Sequence, residues 1–389
     1  MKTKKLIDFA NVITGFPFKG EKYSNQGIRV VRGENVTEGA LRWDTIKCWE
    51  DDFDQIQIYS LNSDDIVIGM DGSKVGKNIA RIKKSDLPLL LAQRISCIRA
   101  KNQNNQGFIY YNLYNPRFIE YVFKTQTGSS VPHISKKQIE DFEIPEIDEI
   151  SQSQIAKVLS DLDAKIELNN KINTELEAMA KLIYDYWFVQ FDFPNEDGLP
   201  YKSSGGNMVW NEELKREIPE GWEVKELSKV LSIKYGKDHK KLNNGIIPVY
   251  GSGGVMRYVD EYLYNDETIL IPRKGSIGNL FYVNEPFWSV DTMFYTKASK
   301  KGSVLYYFYQ LSKLNLLTLN VGTAVPSLTV EILNKIKLLA PEPIILEKFN
   351  SIIFRNKEKS LSIIKENQKL SELRDWLLPM LMNGQVKVK

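Results

Sequence analysis

The chain is written twice, and that limits what it can fold into more than any other feature. The run Asp65-Ile66-Val67-Ile68-Gly69-Met70-Asp71-Gly72-Ser73-Lys74-Val75-Gly76-Lys77 returns as Thr268-Ile269-Leu270-Ile271-Pro272-Arg273-Lys274-Gly275-Ser276-Ile277-Gly278-Asn279. A second run, Thr127-Gly128-Ser129-Ser130-Val131-Pro132, returns as Val321-Gly322-Thr323-Ala324-Val325-Pro326. The Gly-Ser pairs are offset by 203 residues and the Val-Pro pairs by 194, so the copies differ by small insertions. Each copy then enters a long helical pattern, 155–189 and 349–378. A repeat near 200 residues is too long for a solenoid, in which one repeat is one supersecondary unit. The duplication therefore predicts an α+β fold. Two similar mixed α/β modules are separated by two long helices that pair as an antiparallel coiled coil, with a pseudo-twofold internal repeat. The expected boundaries are 1–150 for the first module, 151–190 for the central helix, 191–222 for a linker, 223–343 for the second module and 344–389 for the last helix.

The helical stretches carry the clearest periodicity. Ile155, Leu159, Leu162, Ile166, Asn169, Asn173, Leu176, Ala180 and Ile183 follow steps of four and three, the seam of a coiled coil. The second seam reads Phe349, Ile353, Asn356, Ser360, Ile363, Asn367, Leu370 and Leu377, with one irregular step. Asn on an apolar seam fixes register at some cost in stability. Leu159, Leu162, Ile166, Asn169, Ile363, Asn367 and Leu370 are the expected helix-pairing and partner-binding positions.

Within the modules, Ile66–Met70, Ile269–Ile271, Ile95–Arg99 and Met293–Thr296 are strand candidates, and Asn115–Lys124 and Val304–Leu319 look helical. The Pro, Gly and Ser cluster of residues 193–206 reads as a linker. A chain of 389 residues with 42% hydrophobic content fits two or three domains with real cores. Asp8 and Asn11 interrupt any signal-peptide run, and no stretch approaches the roughly 20 apolar residues of a membrane span. Cys48 and Cys97 are the only cysteines, too few for a disulfide framework or Cys-rich metal site. These features predict a soluble, cytoplasmic protein with no membrane partner.

The net charge of +3 becomes informative once divided. Residues 1–150 carry 21 basic against 20 acidic side chains, and 151–222 carry 7 against 13. Residues 223–343 carry 15 against 11, and 344–389 carry 9 against 5. Nucleic-acid contact through a module face fits this balance; wrapping DNA along the acidic central helix does not.

Catalytic apparatus is missing from the pattern. The two histidines, His133 and His239, have no metal-spaced partners and read as structural residues or DNA contacts. No Gly-x4-Gly-Lys-Ser/Thr loop is present. Tyr250-Gly251-Ser252-Gly253-Gly254 reads as a turn. Asn284-Glu285-Pro286-Phe287 departs from a methyltransferase tetrad at Glu285 and reads as a loop. Asp163-Ala164-Lys165 reads as the solvated face of a coiled-coil helix. Ser73, Lys74, Lys77, Asn78 and Arg81 instead combine hydroxyl, amide and cationic donors, and Arg273, Lys274, Ser276 and Asn279 repeat the set. Such loops anchor phosphates, and Arg, Lys, Asn and Gln are the usual major-groove readers. Lys237, His239, Lys240, Lys241 and Arg257 add a second basic region to the later module.

At these residues the chain resembles the specificity subunit of a type I restriction-modification system, over essentially its whole length. The first copy carries the resemblance in Gly27-Ile28-Arg29-Val30-Val31-Arg32, Asp65-Ile66-Val67-Ile68 with Asp71-Gly72, Leu91-Ala92-Gln93-Arg94-Ile95 and Gly128-Ser129-Ser130-Val131-Pro132. The span Ala178-Met179-Ala180-Lys181-Leu182-Ile183-Tyr184-Asp185-Tyr186-Trp187-Phe188-Val189 is similar to the end of that family's central helix. Ile218-Pro219-Glu220-Gly221-Trp222 and Pro248-Val249-Tyr250-Gly251-Ser252-Gly253-Gly254 resemble its second half. The resemblance implies two target-recognition domains, each reading half of a bipartite, asymmetric sequence in double-stranded DNA. It implies paired helices that dock two adenine-methylating modification subunits, with restriction subunits completing the complex. Catalysis would then belong to those partners, as would S-adenosylmethionine, ATP and Mg, leaving this chain without catalytic, cofactor or metal residues.

No base-contact list transfers between recognition domains that read different sequences, so residue chemistry supplies the DNA-binding candidates. They are Ser73, Lys74, Lys77, Asn78, Arg81 and Ser129 in the first module, and Lys240, Lys241, Arg257, Arg273, Lys274 and Thr323 in the second. Gln93 and Arg94 fall within a family motif, read as buried structural residues and are left out. The competing reading is a non-catalytic scaffold that does not read DNA sequence.

Overall fold

A computed structural model describes residues 2–50, 56–101, 104–128, 131–322, 325–386 and 388. The chain forms two compact units, Met1–Asn170 with Ile364–Lys389, and Lys171–Ile363. Each holds one α/β module, and the central helix (Glu149–Tyr184) and the C-terminal helix (Pro343–Met382) connect the two.

In the first unit, Ile66-Val67-Ile68 is β-branched throughout and buried throughout, which suits a strand covered on both faces. Its period of two divides the core. Ile66 and Ile68 pack with Phe108, Phe118 and Ile139 of the helices, while Val67 packs with Val31, Leu89 and Leu91. The strand lies in an antiparallel sheet ordered Ala10–Thr14, Ile95–Ala100, Ile66–Gly69, Ile79–Arg81. A smaller sheet runs Cys48–Trp49, Ile28–Val31, Leu89–Leu91, and its last pair is parallel.

The second unit repeats this plan. Its larger sheet is ordered Leu231–Tyr235, Met293–Ala298, Thr268–Pro272, Phe281–Val283. Its smaller sheet is ordered Gly254–Val259, Asn244–Gly251, Trp288–Ser289, again with a parallel last pair. Ile269 and Ile271 face the helical core, and Leu270 faces Val249 and Val259 of the smaller sheet.

Two features depart from the sequence reading. The helix expected over Val304–Leu319 stops at Ser312, and a 3-10 turn covers Leu316–Leu319. Asn315 accounts for the break, because its side chain accepts the Leu317 N–H and competes with helical bonding. The stretch read as a linker is folded. Met208–Asn211 pairs with Arg216–Pro219, and Phe191, Phe193 and Trp222 are buried in the second core. Phe193 stacks on Trp222 with centroids 5.1 Å apart, so aromatic burial outweighs the turn chemistry around it.

Both helices belong to both cores. Ile155 and Leu159 of the central helix pack with Phe108, as do Leu378 and Leu381 of the C-terminal helix. Tyr184, Trp187 and Phe188 pack with Phe349 and Ile353 in the second core. Trp187 and Phe188 lie in a π-helical turn, Asp185–Val189, that ends the central helix. Within each unit the helices run antiparallel. Asn169 meets Asn367 while Asp163 meets Arg374 in the first, and Met179 meets Asn356 while Phe188 meets Phe349 in the second.

The expected pairing positions lie on this seam to different depths. Leu159 and Ile363 are buried, and Leu162, Ile166, Asn367 and Leu370 are half-buried. Asn169 is 1% exposed, and its amide donates to Asn367 Oδ1 at 2.8 Å and Glu366 Oε2 at 2.9 Å. A buried polar seam group is tolerated when its donors are used in this way.

Candidate nucleic-acid interface

Each module gathers three chain segments at one end of its larger sheet, and backbone hydrogen bonds hold them. In the first module, Met70 N donates to Arg94 O, Gly72 N to Pro132 O, and Ile134 N to Met70 O, at 2.9, 3.0 and 2.9 Å. In the second, Arg273 N donates to Thr292 O, Gly275 N to Pro326 O, and Leu328 N to Arg273 O, at 2.8, 3.0 and 2.9 Å. Met70 and Gly72 are offset from Arg273 and Gly275 by the 203 positions of the first sequence repeat, Pro132 and Ile134 from Pro326 and Leu328 by the 194 of the second, and Arg94 from Thr292 by 198. An isolated bridge joins Asp71 to His133 in one frame and Lys274 to Ser327 in the other. One backbone frame thus carries two different sets of side chains.

In the first module the frame displays Asp71, Arg94 and His133. One Asp71 carboxylate oxygen meets His133 Nδ1, and the other meets Arg94 Nη1 at 3.2 Å. Arg94 is exposed and sits in left-handed backbone (φ 64°), a conformation that costs an L-residue about 1–2 kcal/mol. This corrects the reading of Gln93 and Arg94 as buried, since both are exposed at the turn before Ile95–Ala100. No sequence spacing marks the cluster, because its three members lie on separate segments.

Ser73 and Lys74 are exposed on the loop beside this cluster. Lys77 is exposed and lines a cleft of about 300 Å³ with Tyr114 and Pro116, and Asn78 is half-buried against Gly69. Arg81 is not brought to the loop. It pairs with Ile66 at the far end of the Ile79–Arg81 strand, meets Asp64 at 3.1 Å, and lines a cavity of about 510 Å³ with Tyr111, Asp163 and Arg374. Period-two geometry and strand length place it there, whatever its charge.

In the second module Lys274 is exposed, and the half-buried Arg273 guanidinium lies over the Tyr235 ring at 5.6 Å. Lys240 and Lys241 are exposed on the turn before Asn244–Gly251. Arg257 braces that turn by donating to Leu242 O at 2.7 Å. Ser129 and Thr323 lie outside the described residues.

Asp163, read as part of a solvated face, is instead bonded on two sides. It accepts from Tyr111 Oη at 2.6 Å and from Arg374 Nη1 at 2.8 Å. Arg374 occupies the irregular step of the second seam, between Leu370 and Leu377. Burial opposes its charge, but the bonds to Asp163 and Asp375 outweigh that and hold its pKa above the usual guanidinium range. Burial and the bond to Asp163 likewise raise the Tyr111 phenol. Among the described residues, no group of three or more His, Cys, Asp or Glu side chains is placed to hold a metal ion. No described helix is long and apolar enough to cross a membrane.

Comparison with known proteins bears on the role of these frames. Residues 1–178 and 219–371 match the type I restriction modification DNA specificity domain. The chain is 29% identical over 330 residues to the specificity subunit of the MjaIX type I restriction enzyme of Methanocaldococcus jannaschii, covering 78% of this chain and 74% of that one. It is 33% identical over 174 residues to the EcoAI specificity subunit of Escherichia coli, covering 43% and 28%. The crystal structure of an S subunit from M. genitalium shares the fold, with a TM-score of 0.63 at 19% identity over 98% of this chain and 96% of that one. With two family matches spanning both modules and most of both helices, the chain belongs to the type I specificity family, as a DNA-binding, non-catalytic subunit of a restriction-modification complex.

Proposed function

We propose that each module reads one half of a bipartite, asymmetric target in double-stranded DNA, while the paired helices dock two adenine-methylating modification subunits. Restriction subunits then complete the complex. One observation carries the two-reader reading: the loop frame is duplicated bond for bond, while the groups it displays are not. Asp71, Arg94 and His133 stand where the second frame has Lys274, Thr292 and Ser327. A shared frame keeps the mode of approach to the duplex, and different side chains change the bases preferred. The exposed cations Lys74, Lys240, Lys241 and Lys274 anchor phosphates.

The helices offer a second surface for partners. Leu182, Tyr186 and Val189 are exposed and follow steps of four and three where the central helix runs into its closing turn. Such a stripe suits a partner laid against the helix.

Mobility shifts of this chain co-purified with its modification subunits test the reading, using duplexes in which either half of the methylated sequence is scrambled. Scrambling one half should cost about 100-fold or more in affinity, because each mismatched pair costs about 1–3 kcal/mol. Full affinity for a duplex with one half scrambled would contradict two independent readers. Leu182→Asp should release the modification subunits without unfolding the chain; co-purification at normal yield would remove the stripe from the docking surface.

A further inference from the structure

The second module carries a feature that its framework role does not explain. The antiparallel hairpin Asn244–Gly251 and Gly254–Val259 exposes Ile246, Val255, Met256 and Tyr258, with Met256 61% exposed. Gly254–Val259 is the edge strand of its sheet, where native proteins normally place charge rather than apolar side chains. The counterpart edge strand of the first module, Cys48–Trp49, is two residues long and buried.

Both ends of this ribbon are fixed and cationic. At the tip, Asn279 Nδ2 donates to Ser252 O at 3.2 Å, which ties the tip to the loop carrying Lys274. At the base, Arg257 donates to Leu242 O, and Asn243 binds Asp260 through both its backbone N–H (3.0 Å) and its amide (2.8 Å). Lys240 and Lys241 project from that braced turn. Eight residues separate the ends, Asn244 to Gly251, or about 24 Å at roughly 3.4 Å per residue. A major groove is about 12 Å wide and admits a two-stranded β-ribbon, so such a ribbon spans it from one phosphate backbone to the other. At the bulge beside the tip, the Met256 thioether lies across Gly251, which leaves it room because an added Cβ would come within 2.5 Å of the sulfur.

We propose that this hairpin is the groove-entering element of the second module, and that Met256 reads a thymine methyl in the major groove. The proposal rests on the reading that the second module contacts DNA. Apolar side chains are the usual partners of the thymine C5-methyl, which is absent from the other bases of the groove. The cations at either end match the two phosphate backbones, which favours a duplex over a second copy of this chain.

The test uses the chain co-purified with its modification subunits and duplexes in which each thymine of the target is replaced singly by deoxyuridine. One replacement in the half assigned to the second module should weaken binding about fourfold, the equivalent of about 0.8 kcal/mol for one buried methyl-sized group. Met256→Ala should abolish that difference and leave the other half's deoxyuridine profile unchanged. An unchanged thymine-to-deoxyuridine ratio in Met256→Ala, or a half with no sensitive thymine, overturns the proposal. So does a wild-type dimer that Met256→Ala converts to monomer in sedimentation, since the ribbon edge would then be a contact between copies. Lys240→Ala with Lys241→Ala separates the proposal from its premise. Weaker binding to every duplex with a shallower salt dependence keeps the second module on DNA, whereas unaltered binding and salt dependence removes the premise itself.

Discussion

The first module displays Asp71, Arg94 and His133 on its duplicated frame, whereas the second displays Lys274, Thr292 and Ser327 there and adds an apolar ribbon on its smaller sheet. The contrast continues beneath the surface. In the first module Asp65, 4% exposed at its side chain, accepts from Arg99 Nε and Nη2, both at 2.7 Å, across neighbouring strands. At the corresponding place in the second module, Thr268 donates to Thr296 O at 2.8 Å and accepts from Thr296 N at 2.9 Å. The backbone pairing is the same, while one copy spends a buried ion pair where the other uses two hydroxyls. Equivalent folds therefore tolerate different polar solutions, provided every buried group finds a partner.

That comparison can be broken by mutation. Asp65→Ala should cost the first module about 3 kcal/mol, because it leaves the half-buried Arg99 guanidinium with Ser60 O as its remaining acceptor. Hydrogen exchange should show the loss in Ala10–Thr14 and Ile95–Ala100 while the second module keeps its protection; equal loss in both would mean that the modules do not unfold separately.

Gly15 and Gly236 occupy matching sites, where an added Cβ would lie 2.1 Å from Ala92 O and 2.0 Å from Val290 O. Gly15→Ala and Gly236→Ala should each destabilise their own module by about 1–3 kcal/mol, as overpacking does. Thermal unfolding in which only one of the two has an effect would break the equivalence of the frames.

Thr268→Val should cost about 1 kcal/mol, the net worth of a hydrogen bond. A loss as large as that of Asp65→Ala, measured by denaturant unfolding, would erase the distinction between the two buried solutions. The smallest effect is expected at the loops. Lys74→Ala and Lys274→Ala should each weaken DNA binding uniformly across sequences and lower the salt slope by about 1. A change in sequence preference from either would make it a base reader rather than a phosphate anchor.

Much of this architecture was legible from the residues alone. The repeat, the strands around Ile66–Met70 and Ile269–Ile271 and the helix seams follow from periodicity, which reports local geometry. The candidate site was less legible, because its groups meet only through long-range contacts. Arg94 reaches Asp71 across separate strands and His133 from a third segment, so no spacing announces them. Arg81 stands apart from the loop residues because charge says nothing about which end of a strand a residue occupies. Arg374 interrupts the apolar seam because its partner Asp163 lies on the other helix. The 191–222 stretch was read by its glycines and prolines, although its buried aromatics decide its structure.

The most direct test of two independent readers is to exchange residues 1–150 for the first module of another type I specificity subunit, then sequence the methylated DNA of cells carrying the hybrid complex. The account predicts that one half of the methylated sequence changes to that of the donor while the other half stays as it was. A hybrid in which both halves change together would contradict it.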